Sequence, residues 1–309
     1  MFMTIVHADW SIDSRKRWVA VAQRIRSNWH IAELSSRPPN ERLLDNLLAQ
    51  SREGSVIAGF DFPIGLPAHY GSRTGLPSFV EALSGFGSAG WNDFYRAAET
   101  PDQISIARPF YPMRSKRGTR RIDLCEALGV ETFDELRRRC ERQTKDRGAA
   151  CPLFWTLGGN QVGKASITGW QEIVVPAVRQ GAALWPFDGS LADLAAKSSL
   201  VIAETYPAEA YRHVGCKFSS TESKRNVMHR LSKVPAIFAW ACDRHVTFES
   251  SVEKIIRNGC ESDRYGEDRF DALIGLLGML DVVMKRRSDG APNDDAIRRW
   301  EGWIFGQSP

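Results

Sequence analysis

"SVIAGFD", residues 55–61, decides how the chain is read. Val56 to Phe60 form an unbroken apolar run that ends in an acid, Asp61. An alternating strand would leave one face polar. A run apolar on both faces is the pattern of a strand buried inside a parallel sheet. Pro63, Gly65 and Pro67 follow at once and stop it.

Toward the N-terminus, "PPNERLLDNLLAQSREG" (38–54) has Leu43, Leu44, Leu47 and Leu48 at helical spacing, with Asn40 as an N-cap candidate and Gly54 at the end. Before it come "TIVHADW" (4–10), "WVAVAQRI" (18–25) and "NWHIAEL" (28–34), three strand-like runs joined by short polar connections. Such connections give an antiparallel meander. The helix then returns the chain so that the strand at 55–61 can lie parallel to the first. The expected order is β-β-β-α-β, an α/β fold with a mixed sheet.

Residues 68–198 are rich in Gly, Pro and aromatic residues, with short helical patterns at 77–84, 91–98, 122–128, 132–142 and 168–180. The segment reads as a mostly helical, partly irregular insertion within one domain spanning 1–309. "AALWPFDG" (182–189) adds a short strand, and "SLVIAETYP" (199–207) repeats the buried-strand pattern and ends in Glu204. "PAEAYRHVG" and "ESKRNVMHRLSKV" read as helices. "EDRFDALIGLLGML" (267–280) opens a long one reaching about Arg287, and "DDAIRRWEGWIFG" reads as a last helix held by Trp300, Trp303 and Phe305.

The chain has 309 residues, 43% of them hydrophobic and 25% charged, which is enough for a sizeable core. A formal charge of +4 is too mild to argue for a nucleic-acid partner by itself. The six cysteines are scattered with no C-x-x-C pair, so the spacing fits neither a zinc knuckle nor a disulfide framework and points to a reducing compartment. The N-terminus lacks the pattern of a signal peptide, and no apolar stretch reaches the roughly 18 residues of a membrane span. The cytoplasm is the expected location, with no membrane partner.

Three of the expected strands end in acids: Asp9, Asp61 and Glu204. Ligands of open α/β sheets bind beyond the carboxyl ends of parallel strands. Asp268 and Asp271, three residues apart, share one face of a helix's first turn, while Glu267 faces the helix dipole and solvent. If that helix lies beside the first strand, five carboxylates meet. Clustered carboxylates call for a cation, and all-oxygen ligation suits Mg²⁺ or Mn²⁺. Such ions promote phosphodiester hydrolysis. His7, on the same strand face as Asp9, and His69, after the fourth strand, read as packed or surface histidines.

The order of elements, with "HADWS" on the first strand, "DFPIGLP" after the fourth and "DRFDAL" in the late helix, resembles the RNase H-like superfamily, and the D-x-x-D-A form resembles the last helix of RuvC-type resolvases. More narrowly, "DFPIGLP", "GWQEIVVPAV", "LWPFDG", "AETYPAEAY" and "DRFDALIGLL" resemble, in this order over about residues 4–285, the domain of unknown function 429 family, whose members are predicted nucleases. The resemblance implies a metal-dependent nuclease with Asp9, Asp61, Asp268 and Asp271 as catalytic metal ligands. Glu204, in an E-x-Y-P element particular to that family, would be a further ligand. Asp61 departs from the resolvase pattern, where a glutamate is usual.

Nucleic-acid contacts are expected from "RPFYPMRSKRGTRR" (108–121), where Arg108, Arg114, Lys116, Arg117, Arg120 and Arg121 surround Phe110 and Tyr111 with no acid between them. Basic groups bind phosphates while aromatic faces stack bases, and a solvated basic loop would look the same. Lys164, in "GGNQVGKA" (158–165), has part of a phosphate-loop pattern, but Ala165 stands where a Ser or Thr would hold Mg²⁺. A glycine-rich turn with Lys164 near a substrate phosphate is the expectation. Two rivals remain: a nucleic-acid-binding scaffold without turnover, and an ATP-dependent phosphotransferase, for which the chain is short and unrepeated. Neither the nucleic acid (DNA or RNA) nor the oligomeric state follows from the sequence.

Overall fold

A computed structural model of the chain describes residues 1–36, 42–114, 117–144, 148–157 and 162–309. Seven strands form one sheet: β1 (Thr4–Asp9), β2 (Trp18–Ile25), β3 (Asn28–Ser36), β4 (Val56–Phe60), β5 (Ala183–Leu184), β6 (Leu200–Glu204) and β7 (Thr247–Phe248). Their spatial order is β5-β6-β4-β1-β2-β3-β7. β1, β2 and β3 pair antiparallel, whereas β4 lies parallel to β1 and β6 parallel to β4. The mixed α/β sheet expected from 55–61 is present. The expected N-cap, Asn40, lies outside the described residues.

Alternation along the strands divides the core. On one face Val6, Ala8, Val21, Ala58 and Phe60 pack with Leu44 and Leu47 of the Leu43–Glu53 helix and with Phe79 and Trp170. On the other, Ile5, Ala20, Ala22, Ile57 and Val201 pack with Leu273, Leu276 and Leu277 of the Gly266–Val283 helix. That helix has 18 residues, of which only Glu267, Asp268, Gly278 and Val283 are not buried. It is buried on most sides because the sheet lies along one side and the Pro207–His213 helix along another. Gly59 and Gly275 permit the close approach: a Cβ on Gly59 would run into Met279, and one on Gly275 into the ring of His7.

Several helices differ from expectation. Only Trp91 of 91–98 is in a helical turn, the 3₁₀ turn Ala89–Trp91, and 132–142 holds two 3₁₀ turns, Phe133–Leu136 and Arg139–Glu141. The expected 168–180 helix begins earlier, at Gly163, and runs to Arg179 through a π turn at Trp170–Val174. Pro176 lacks an N–H and crowds the carbonyl of the preceding turn, which the wider turn relieves. The "ESKRNVMHRLSKV" helix shrinks to Val227–Leu231, which the Asn226 side chain caps, and a separate Val234–Arg244 helix follows. The tail holds one π turn, Ile297–Glu301, with Trp300, Trp303 and Phe305 buried as expected. All six cysteines are free. Among the described residues no helix is long and apolar enough to cross a membrane.

Candidate functional site

β1 and β4 are neighbours with Ala8 opposite Phe60, so Asp9 at the end of one and Asp61 just past the end of the other emerge side by side. Alternation turns Asp9 to the face that also carries Ile5 and His7, the face covered by the Gly266–Val283 helix. Asp61 is fixed by a 2.7 Å hydrogen bond from the backbone N–H of Trp10 and is hydrogen-bonded to Asp9. Two carboxyl groups share such a bond only when one keeps its proton. Burial, followed by the charges of Asp61, Asp271 and Asp268, accordingly lifts Asp9 well above the usual carboxylate range. Burial, opposed by the Trp10 amide and reinforced by Asp271, lifts Asp61 to about 7.

The helix supplies the other half. The Asp271 carboxylate accepts from the Tyr211 hydroxyl with one oxygen and from the Lys224 ammonium with the other. Burial still raises it. Asp268, one turn back, is pushed up to about 6 by partial burial and by Glu267. Glu267 is not simply solvated, because it pairs with Lys224 and with Arg225, each at 3.2 Å. Burial alone would lower Lys224, but Asp271, Glu267 and Asp9 raise it, so the ammonium is firmly charged.

Tyr211 and Lys224 were not singled out from the sequence. Tyr211 lies inside the "AETYPAEAY" stretch, whereas Lys224 stood in a segment read as an ordinary helix and left no signal. His7 lies beneath the cluster. Its Nδ1 meets the Ala272 carbonyl at 3.0 Å, so Nδ1 donates and Nε2 accepts from Thr205 Oγ1 at 2.9 Å. Burial lowers it to about 3, making it a neutral packing residue. His69 is exposed and meets the Gly129 carbonyl.

Glu204 departs from its expected place among the ligands. Both its oxygens are held at 2.6 Å by the guanidinium of Arg138, and one also accepts from the Ile64 amide at 2.7 Å. Arg138 is fully buried and also binds Glu141. Lone pairs spent on Arg138 leave Glu204 as the centre of a structural ion pair beside the cluster.

The basic segment also divides. Phe110 and Tyr111 are 0% and 2% exposed and belong to the core, so they cannot stack on bases. Arg108 donates to the carbonyls of Arg96 and Ala97. Arg120 pairs with Asp123, and Arg121 lies over the rings of Phe133 and Trp155. Arg114 and Arg117 are exposed and form no ion pair with another described residue. Lys116 lies outside the described residues. Lys164 is in the first turn of the Gly163–Gly169 helix and donates to the Met113 carbonyl at 2.9 Å. Residues 158–161 of its glycine-rich stretch are outside the described residues.

The donors fit a hard divalent cation in kind, being carboxylate oxygens that are buried and mutually repelling. Asp9 and Asp61 emerge from the ends of paired neighbouring strands. Among the described residues, however, no group of three or more His, Cys, Asp or Glu side chains is set as a metal shell. Asp271 is drawn instead onto Tyr211 and Lys224. No protein-family profile, curated protein or solved structure matches the chain.

Proposed function

We propose that the chain is an Mg²⁺- or Mn²⁺-dependent nuclease of RNase H-like architecture, acting on nucleic-acid phosphodiesters. The observation that carries this reading is the convergence of Asp9 and Asp61, from adjacent parallel strand ends, with Asp271 from the facing helix. The run β3-β2-β1, antiparallel and extended beyond β1 by parallel β4 and β6, supports the fold assignment. In this reading Asp9 and Asp61 hold the cation and Asp268 and Asp271 complete its surroundings, while Arg114 and Arg117 are the groups of the basic segment free to meet phosphates. A divalent cation held there supplies charge neutralisation and Lewis acidity for attack of water on phosphorus.

The chain's own residues fix the geometry. The Trp10 amide sets the Asp61 carboxylate, and Trp10 is itself walled by Phe60 and Phe62 and covered by Arg17, 3.7 Å from its ring. Tyr211 orients Asp271. The test is cleavage of labelled single-stranded, duplex, branched and RNA–DNA hybrid substrates with Mn²⁺ or EDTA, alongside Asp9→Asn. Metal-dependent cleavage lost in the variant is expected. No cleavage of any substrate, together with no cation binding by calorimetry, would overturn the reading. One observation favours a scaffold without turnover: an ammonium, Lys224, already sits on Asp271. A scaffold would bind nucleic acid equally well as wild type and as Asp9→Asn, with or without EDTA.

A further inference from the structure

Lys224 is the cation bonded to Asp271 of the acid cluster. It bridges Asp271 and Glu267, two residues one helical turn apart, and its charge also acts on Asp9, Asp61 and Asp268. Lys16 acts on Asp268 from the β1–β2 connection, and Arg225 contacts Glu267. Neither of these is bonded to Asp271 in the structure.

The support of Lys224 differs from that of the acids. Its backbone lies in the irregular segment between the Pro207–His213 and Val227–Leu231 helices. Its carbonyl is fixed by a 2.6 Å bond from Arg230, so the main chain is anchored. The side chain is 35% exposed, whereas that of Asp271 is 10% exposed. A long, flexible stem with one end anchored and the other near solvent can withdraw its charge without unwinding a helix or moving a strand. Asp271, in a buried helix, cannot leave. The exchangeable partner of this pair is therefore the lysine.

We propose that Lys224 is an exchangeable internal counter-ion: in the metal-free protein its ammonium stands where a divalent cation would neutralise the acids, and it leaves Asp271 when that cation binds. The inference rests on the cation-binding reading above and adds a competitor to it. Lys224 holds the cluster together when no metal is present, and its attraction to Asp271 must be overcome by any metal that enters. Once displaced, the ammonium is available near the mouth of the site to an anionic substrate.

Calorimetric titration of Mn²⁺ into wild type, Lys224→Gln and Lys224→Arg tests this. Loss of one positive charge a few ångströms from the cation position should tighten binding at least about tenfold in Lys224→Gln, with Lys224→Arg remaining near wild type. Equal or weaker binding by Lys224→Gln would overturn the proposal while leaving the cation site intact. No binding by any of the three proteins would overturn the cation-binding reading itself. If Lys224→Gln does not fold, wild type decides: acetylation of Lys224 by acetic anhydride, followed by mass spectrometry of its peptide, should speed up when Mn²⁺ is added. Unchanged or slower labelling would overturn the exchange.

Discussion

The Asp61 carboxylate, one residue past β4, accepts a 2.7 Å hydrogen bond from the backbone amide of Trp10, one residue past β1. Two neighbouring strands are thereby tied at the ends where their acids emerge. Asp61→Ala removes the acceptor and should cost about 1 kcal/mol relative to Asp61→Asn, which keeps an oxygen for Trp10 and discards the charge. Urea denaturation of the two variants in EDTA measures the difference. Equal stabilities would mean that the tie contributes nothing.

The pH dependence of stability separates the carboxyls from His7. Asp61 titrates at about 7 when folded against 3.8 for a free carboxyl, so in that window the folded state holds a proton the unfolded chain has lost. Metal-free stability therefore falls as pH rises through the window, and Asp9 acts in the same direction. His7, at about 3 when folded against 6.5 when free, acts oppositely, giving stability that is present above 6.5 and lost on acidification. Asp61→Asn keeps the His7 contribution. Its stability relative to wild type in EDTA should rise by roughly 4 kcal/mol between about pH 4 and pH 8. A flat difference would show that Asp61 titrates as an ordinary surface acid.

Glu204→Gln leaves the buried charge of Arg138 with Glu141 as its remaining carboxylate. Removing one side of such a network costs up to about 3–5 kcal/mol, whereas Arg138→Met combined with Glu204→Gln and Glu141→Gln, which leaves no buried charge of this network behind, should recover part of the loss. Chemical denaturation of the single and triple variants checks this. Where Glu204→Gln remains folded, its Mn²⁺ affinity should match wild type, because the carboxylate is spent on Arg138 and Ile64. A large loss of affinity would return Glu204 to the ligand set.

The arginines of 108–121 should separate by what they touch. Arg108→Ala loses bonds to two carbonyls and should lower stability by about 1–2 kcal/mol. Arg114→Ala with Arg117→Ala should leave stability unchanged and reduce the salt dependence of nucleic-acid binding, since each lost phosphate contact lowers that slope by roughly one. Fluorescence anisotropy across a salt series reads the slope. An unchanged slope would remove this segment from the binding surface.

The central sheet was legible because strands covered on both faces must be apolar, as 56–60 and 200–203 are, and because 4–10 and 18–25 are compact β-branched and alternating runs bounded by polar turns. β7 has two residues and no pattern to find. The Val234–Arg244 and Ser250–Arg257 helices went unread, although Val252, Ile255 and Ile256 of the second carry helical spacing. In the site, Asp9, Asp61 and the Asp268–Asp271 pair were visible as strand-end and same-face acids, which local spacing records. Partners across the fold leave no such trace. Glu204 and Asp61 end neighbouring strands in the same way, and only Arg138 takes one of them elsewhere. Phe110 and Tyr111 sit among arginines, and only tertiary packing shows them to be core.

The order of synthesis gives the placement of the acids one more consequence. β1 brings Asp9 near the start of the chain, and the Gly266–Val283 helix brings Asp271 and the cover for that face of the sheet close to its end. On the ribosome the early strands can pair long before their lid exists. A polypeptide stopped short of this helix would expose Ile5, Ala20, Ile57 and Val201 as a bare apolar surface, a target for chaperones and proteases. An incomplete product thus lacks Asp268 and Asp271 and the surface protection of a finished molecule together, so a truncated chain with the site half-built would not persist.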